Sequence, residues 1–457
     1  MSARTVLLAV LLVTVVARPV TALGLESAPR VTADPASVAR PAMTDTAPPA
    51  ALQANEDGRI APPPDELVAL ALQRAPSLAA LAGRVQAARE MARPAGALPD
   101  PMVELMIQDL GFPRWTVGEE DMSMIGPQIT QGIPFPGKRG ARRQAARAEV
   151  AVKAGELELL RREVARDIRV AYARLYSLDE ERQALASGHE LLEMLAAGVR
   201  ERYSAGLAEQ EAAVKAQLAV SRLDERLDDL AAERKGLVAS MNRFLDQPGD
   251  APLGRVATLP EVAVPPMSWV AVVEENSPEV AVRRAEVQAS ERRLRLARLE
   301  LRPDFLAGAG LGFRGGKDPA VTLRLGMDLP LWGAQNQIPR IRAAEQDLEA
   351  SRQSLRDAEA WARAEAARLE ADWRRAGSQM TRYAQAIVPQ TSLALDAARS
   401  SYMAGRGDFS TVIEDFNLWL EARTGSAQRE TERFTTWAEL QTLINSSGPG
   451  DDGRSGR

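Results

Sequence analysis

Two stretches of the chain alternate apolar residues with polar residues or glycine at a period of two. Residues 321–329 place Val, Leu, Leu, Met and Leu at odd positions and Thr, Arg, Gly and Asp at even positions, and 305–313 alternate similarly. A weaker alternation runs through 102–131. Because side chains alternate between the two faces of a strand, this pattern predicts two β-hairpins, with strands at about 102–131 and 303–329.

The segments that follow the hairpins have a helical pattern instead. Residues 138–202 contain no proline and few glycines, and apolar positions recur there at steps of three and four residues; 336–401 is similar. At 1.5 Å per residue, each segment predicts a helix on the order of 100 Å long. The narrow apolar seam between Glu and Arg flanks is typical of laterally packed coiled-coil helices.

The chain also contains an internal repeat with a period of roughly 200 residues. Four landmarks recur in the same order: Pro76 and Pro278, Pro101 and Pro303, 131–137 and 327–333, and the Tyr-x-Ala-Gly segments at 203–206 and 402–405. The repeat predicts a first unit over 65–245 and a second over 267–446, joined by a linker over 246–266. Each unit has the order short helix, two strands, very long helix, turn and helix.

Both ends of the chain have a different character. Residues 1–22 predict a secretory signal peptide, with a basic start, an apolar run and small residues before a cleavage site. The alternative, a membrane anchor, needs a longer apolar run. Residues 23–64 are rich in Ala and Pro and predict an extended or disordered arm, and 447–457 predict a disordered tail.

Composition narrows the function further. The 457 residues include no cysteine and one histidine, only 4% are aromatic, and the formal net charge is -5. Disulfides, thiolate metal sites and His-pair metal motifs are therefore excluded, and nothing indicates a nucleic-acid partner. No catalytic constellation stands out, so we expect neither an enzyme nor a bound cofactor or metal.

The hairpins indicate a membrane-spanning sheet in an exported chain. Their strands have about the 9–11 residues that a transmembrane β-strand requires. The predicted lipid-facing residues are Val321, Leu323, Leu325, Met327 and Leu329. The alternative is a half-buried hairpin of a soluble protein. In lipid four strands would leave open edges, so several copies must share one barrel, and three copies give twelve strands around a water-filled interior.

The duplicated order, the two Tyr-x-Ala-Gly turns and the string Gln-Gly-Ile-Pro-Phe-Pro-Gly-Lys at 131–138 resemble the TolC family of outer-membrane efflux factors. The string resembles the heavy-metal (cation) efflux branch. The resemblance covers roughly 65–446 and implies a mainly α fold with a small antiparallel β part. By trimerisation, this fold forms a 12-stranded transmembrane β-barrel in the outer membrane of a Gram-negative cell, continued by a periplasmic α-helical barrel.

The implied function is a passive exit duct of a tripartite efflux system, which receives substrate, metal cations among the candidates, from its partners. These are a periplasmic adaptor (membrane fusion) protein and an inner-membrane efflux pump of the resistance–nodulation–division type. The alternative function is a soluble periplasmic scaffold or adaptor built from helical hairpins. No lipid-anchoring cysteine is present, so the resemblance leaves the barrel alone to hold the chain in the membrane.

The resemblance also implies roles for individual residues. Those at the adaptor-contact tips are Ala205, Gly206, Leu207, Ala404, Gly405 and Arg406. Those at the candidate lumenal gate are Asp408, Thr411, Glu414 and Asp415. The simpler alternatives are that the glycines only end helices and that the carboxylates only face solvent.

Overall fold

The computed structural model of the protein describes residues 59–206, 209–264 and 268–444. The predicted signal peptide (1–22), the predicted tail (447–457) and most of the predicted arm lie outside these residues. The described part is mainly helical with one four-stranded antiparallel sheet, which confirms the predicted fold class. None of its helices combines the length and the apolar character that crossing a bilayer requires.

The two halves of the chain have the same element order. The first half contains α1 (Pro64–Arg74), α2 (Pro76–Ala92), β1 (Met102–Gln108), β2 (Met124–Ile133), α3 (Lys138–Ser204) and α4 (Gln210–Leu245). The second half contains α5 (Trp269–Asn276), α6 (Pro278–Leu299), β3 (Asp304–Gly312), β4 (Ala320–Asp328), α7 (Gln337–Arg382), α8 (Val388–Met403) and α9 (Phe409–Leu443). Pro76 and Pro278 each begin a helix, where a missing N–H breaks no helical hydrogen bond.

The long helices of the two halves differ in one respect. Helix α3 runs for 67 residues without interruption, which corresponds to about 100 Å. The sequence predicts one helix over 336–401, but a π-helical turn at Tyr383–Ile387 separates α7 from α8. Pro389 has no N–H to donate to the carbonyl four residues earlier, so the helix widens before it.

The helices lie side by side in rows. Near the sheet the order is α2, α3, α6 and α7, and farther from it α4 packs on α3, α3 on α9, and α9 on α7 and α8. Three hydrophobic clusters join these helices. Their buried members include Ile168 and Met241 in the first, Leu192 and Phe416 in the second, and Leu369 and Leu440 in the third. Burying each such side chain stabilises the fold by about 1.5–3 kcal/mol.

A buried ion pair fixes the start of the predicted linker against the helices. The side chain of Asp179 in α3 has no exposed surface, and it accepts hydrogen bonds from Arg234 Nε at 2.9 Å and from the Val256 N–H at 2.8 Å. Arg234 also donates to the carbonyl oxygens of Leu253 and Gly254. The predicted linker therefore lies against α3 and α4, and its last residues, 265–266, fall outside the described part.

Candidate functional site

The sheet has one apolar face that crosses all four strands. The strands are ordered β1-β2-β3-β4, and residues directly opposite each other share a face. One such row runs from Val103 through Ile129 and Ala309 to Leu323. The larger members of this face are Val103, Leu105, Ile107, Ile125, Ile129, Ile133, Phe305, Leu311, Val321, Leu323, Leu325 and Met327.

Burial in the sheet is the reverse of the arrangement in a water-soluble protein. The five predicted lipid-facing residues Val321, Leu323, Leu325, Met327 and Leu329 are all exposed, and Leu325 reaches 87%. On the opposite face, Gln128 is only 3% exposed and Thr130 only 9%. Leu329 lies one residue beyond β4, because Pro330 follows it and has no N–H to continue the ladder.

The covered face of the sheet is polar and rich in glycine. The Gln128 amide donates to Glu104 Oε2 at 3.5 Å and to Thr130 Oγ1 at 3.2 Å. Opposite β2, strand β3 carries glycines; a Cβ added at Gly310 would lie 3.4 Å from Gln128 Cβ. Thr322 pairs with Gly310 in the ladder and therefore lies on this face. A water-filled interior accepts such a face, whereas lipid does not.

Aromatic side chains mark both ends of the apolar face. In the β1–β2 loop, Phe112 is 99% exposed and Trp115 63%. At the other end, the Phe135 and Phe305 rings stack with centroids 6.4 Å apart, and Trp332 is 70% exposed. Aromatic girdles at the two lipid–water interfaces are typical of membrane barrels. These girdles were not predicted from the sequence, although aromatic residues are rare in this chain and their clustering at strand ends is a signal.

The sheet has two open edges. Strands β1 and β4 are the outermost strands, and within the described part of the chain each has a strand partner on one side only. Their outer N–H and C=O groups need partners, because unpaired backbone groups are too costly in lipid.

A charged pair joins the two halves at the base of the sheet. Lys138 Nζ donates to Asp304 Oδ1 and to the Arg302 carbonyl oxygen, both at 2.8 Å, and the Phe135 N–H donates to the same Asp304 oxygen at 2.7 Å. The Lys138 side chain is only 5% exposed. The pair was not predicted, because its two members lie in different halves; Lys138 ends the string at 131–138, but nothing in that string indicates Asp304 as its partner.

The two helical tips end in left-handed glycines. Gly206 has φ +71° and Gly405 has φ +72°, and their N–H groups donate to the carbonyl oxygens of Tyr203 and Tyr402. Glycine adopts this conformation without a Cβ penalty, so both turns are tight. Of the predicted tip residues, Ala205, Gly206, Ala404, Gly405 and Arg406 are exposed, and Leu207 lies outside the described residues.

The two tips lie next to each other. The Arg202 guanidinium lies 5.3 Å above the Tyr402 ring, and its Nη1 donates to the Tyr402 carbonyl oxygen at 3.5 Å. The Tyr402 ring in turn meets Phe409 edge-on at 5.6 Å. A cation over an aromatic face and an edge-on ring pair each stabilise such a junction. The tips therefore present a single surface at the end of the helices away from the sheet.

The predicted gate residues lie at the start of α9: Asp408, Thr411 and Glu414 are exposed, and Asp415 is half-buried. The structure adds a lysine to this group. A hydrogen bond to Glu211 raises the pKa of Lys215, and the charges of Asp408 and Glu414 raise it further. Lys215 on α4 therefore faces part of the acidic group and offsets its negative charge.

The described residues contain no candidate metal centre. Within 59–206, 209–264 and 268–444, no three His, Asp or Glu side chains converge as a metal would require. A cavity of about 690 Å³ between α1, α3 and the linker is lined partly by arginines. One of these, Arg169, already lies 5.0 Å over the Trp437 ring and pairs with Asp65.

Comparison with known proteins shows the family to which this chain belongs. The family model described as outer membrane efflux protein matches residues 67–241 and 269–446. The chain belongs to the outer membrane efflux protein family. The two matched segments correspond to its two halves. A comparison with curated protein sequences finds no match.

Solved structures of outer-membrane channels have the same fold. VceC from Vibrio cholerae is 18% identical, with 83% of this chain and 95% of that chain covered and a TM-score of 0.70. The outer-membrane channel OprN is also 18% identical, with 83% and 89% covered and a TM-score of 0.73. CusC is 14% identical, with 84% and 92% covered and a TM-score of 0.71. The family resemblance and the outer-membrane location are confirmed.

Proposed function

We propose that three copies of this outer membrane efflux protein pair β4 of one copy with β1 of the next and close a twelve-stranded barrel. The helical rows close in the same way into a tunnel beneath it. Substrate passes through the polar interior without chemistry by the protein, so the function is that of a passive exit duct.

The observation that carries this proposal is the exposed apolar face of a sheet with two open edges. A soluble periplasmic scaffold, the alternative function, would leave that whole face in water. In lipid the apolar face is no longer exposed to water, and a neighbouring copy pairs the backbone groups of the edge strands. A trimer in the membrane therefore removes both the cost of the exposed apolar face and the cost of the unpaired backbone groups.

Cross-linking between edge strands tests the proposal. The chain has no cysteine, so Leu105→Cys on β1 and Leu325→Cys on β4 introduce the only thiols. A short bismaleimide should join copies of the double variant into dimers and trimers in outer-membrane fractions. Each single variant is the control and should stay uncross-linked. Monomers alone, recovered in the water-soluble periplasmic fraction, would contradict the proposal.

The exposed tips are proposed to contact a periplasmic adaptor that connects the duct to an inner-membrane pump, of the resistance–nodulation–division type. Their exposure and their adjacent turns support this role. A photo-reactive residue at Ala205 or Ala404 should cross-link one periplasmic protein in cells, whereas the same residue at exposed Gln353 should not. Equal labelling from all three positions would contradict a specific tip contact.

The carboxylates at the start of α9 are proposed to narrow the lumenal entrance, where three copies would bring Glu414 and its neighbours together. Their combined negative charge would attract cations and favour their passage, and metal cations are one candidate cargo. Replacing Glu414 with Gln should reduce the cation preference of single-channel currents. Growth of a deletion strain on a panel of metals and drugs identifies the cargo.

A further inference from the structure

The helix ends next to the sheet carry a dense positive charge. Residues 138–147 contain one lysine and four arginines without any acidic residue, and 292–302 contain five arginines and one glutamate. The whole chain has a formal net charge of -5, so this excess is local. It lies where the helices reach the base of the apolar sheet face.

Three of these arginines continue the apolar face of the sheet. Arg295 and Arg298 lie three residues apart on one side of α6, and Arg302 follows in the turn after the helix ends at Leu299. The Arg302 guanidinium lies 5.9 Å from the Phe135 ring, which stacks on Phe305 of the apolar face. The arginine stripe therefore points outward, on the side that meets lipid.

This stripe borders a groove between α6 and α7, the second-half groove, with a volume of about 500 Å³. Its lining consists of Arg295, Arg298 and Arg302, the apolar side chains Leu294, Leu299 and Leu348, and Glu291 at the far end. Glu291 pairs with Arg352 and Arg298 with Glu345 across exposed surface. Among the described residues, no ion pair involves Arg295 or Arg302. The second-half groove thus combines arginine guanidinium groups with an apolar floor of leucine side chains.

The first half contains a counterpart between α2 and α3, the first-half groove, with a volume of about 410 Å³. Its lining is Arg89, Ala92, Arg93, Arg143, Arg147 and Val150. Arg93 and Arg295 are separated by the same number of residues as the repeated prolines Pro101 and Pro303. The repeat thus gives both grooves one equivalent arginine, whereas the other arginines of the first-half groove, Arg89, Arg143 and Arg147, are specific to that half.

The first-half groove also faces outward. Lys138 reaches Asp304, which the ladder places on the polar face together with Thr322. Arg147 follows Lys138 by nine residues, and at about 100° per residue this puts it on the opposite side of α3. Both grooves lie between helices of one copy, so closing the ring of copies does not cover them.

We propose that each groove binds the phosphate headgroup of an anionic phospholipid in the periplasmic leaflet of the outer membrane. This rests on the proposed function, which places the sheet in that membrane. Guanidinium forks bind phosphate oxygens in bidentate fashion. The first acyl methylenes contact the leucines of the second-half groove, and Ala92 and Val150 in the first-half groove. Arg295 and Arg298 lie about 4.5 Å apart along the axis of α6, which is within the depth of about 5–8 Å of one headgroup layer.

Native mass spectrometry of the detergent-purified, full-length assembly tests the proposal. The probes are dioleoylphosphatidylglycerol and dioleoylphosphatidylcholine, which share acyl chains and differ in charge. The unmodified protein should retain the anionic lipid preferentially. R295Q/R298Q and R89Q/R93Q should each lower that preference, and the quadruple variant should lower it about tenfold or more. R382Q/R399Q removes the same charge from exposed positions far from the sheet and should change nothing.

Three results would overturn the proposal: an unchanged lipid preference in the quadruple variant, an equal loss in R382Q/R399Q, or complete displacement of the lipid by inorganic phosphate. The last would identify a site for soluble anions. The size of the assembly and its insertion into vesicles are measured on the same samples. Failure to insert would contradict the proposed function, whereas normal insertion without a lipid preference would contradict only the grooves.

Discussion

The sheet and the helical rows solve the problem of burial in opposite ways. In the rows, apolar side chains such as Ile168 and Leu369 are fully covered, and charged residues such as Arg284 and Glu359 face outward. In the sheet, Leu325 is 87% exposed while Gln128 is covered. One chain therefore contains a helical part with apolar side chains inside and charged side chains outside, as in water, and a sheet with the opposite arrangement, as expected in lipid. The boundary between the two parts lies at the base of the sheet.

The largest effect is expected when a charge is placed on the apolar face of β4, compared with the same charge on its polar face. Leu325→Lys should prevent stable insertion, because a lysine near the bilayer midplane costs about 2–4 kcal/mol in each copy. Thr322→Lys, on the polar face, should be mild. Outer-membrane yield and heat-resistant assembly are measured for both. Equal tolerance would show that the apolar face does not meet lipid.

The helical part should respond most strongly to a broken buried ion pair. Asp179→Asn removes a buried carboxylate charge that binds Arg234 Nε and the Val256 N–H, and it should lower the free energy of unfolding by about 3 kcal/mol. Asp228→Asn removes the same charge from an exposed position of α4 and is the control. Thermal unfolding in detergent measures both, and a loss of similar size in the control would contradict the role of the pair.

Packing inside the rows gives an effect of intermediate size. A Cβ at Gly188 would lie 2.6 Å from Phe416 Cζ, so Gly188→Ala should destabilise by about 1–3 kcal/mol. At Gly236 a Cβ would have no neighbour within 4 Å, so Gly236→Ala should stabilise by up to about 1 kcal/mol. The two substitutions are identical, and only their surroundings decide the sign. Thermal midpoints that shift in the same direction would contradict this.

The smallest effect concerns a partly covered carboxylate in α3. Burial raises the pKa of Glu163 above its ordinary value of 4.5, although the charge of Arg166 opposes the shift. A carboxyl group whose pKa is raised in the folded state stabilises the fold when the pH is below its ordinary pKa. This stabilisation is lost as the pH rises through the pKa of the folded state. Glu163→Gln should therefore stabilise at neutral pH, by less than about 0.5 kcal/mol after solvent screening, and not at acidic pH. A gain that persists at acidic pH would contradict this cause.

The sheet was easier to predict from sequence than the contacts around it. Strand β4 has an exposed apolar face and an opposite polar face, so its period of two is strict, and Val321 to Met327 show it directly. The Lys138–Asp304 pair and the contact of Arg202 with Tyr402 bring together residues from different halves of the chain, and no local pattern encodes them. The π-helical turn before Pro389 was also missed, since helical periodicity continues through it.

The domain boundaries and the roles of the tip and gate residues stay predictions. The structure places Asp408 and Glu414 near Lys215, a neighbour that the sequence could not indicate because α4 and α9 belong to different repeats. The net charge at the proposed lumenal entrance depends on residues from several helices. The positions of acidic residues within α9 alone therefore do not determine it.

The ion pair at the base of the sheet also determines which charges a single subunit exposes before it assembles with other copies. Lys138 and Asp304 close the seam inside the chain. In the repeat, Asp304 corresponds to Met102 and Lys138 to Ala334, so the border that a neighbouring copy would join has no matching charges. A newly exported subunit thus does not present half of such a pair at that border, and joining or leaving a neighbouring copy breaks no Lys–Asp pair of this kind there.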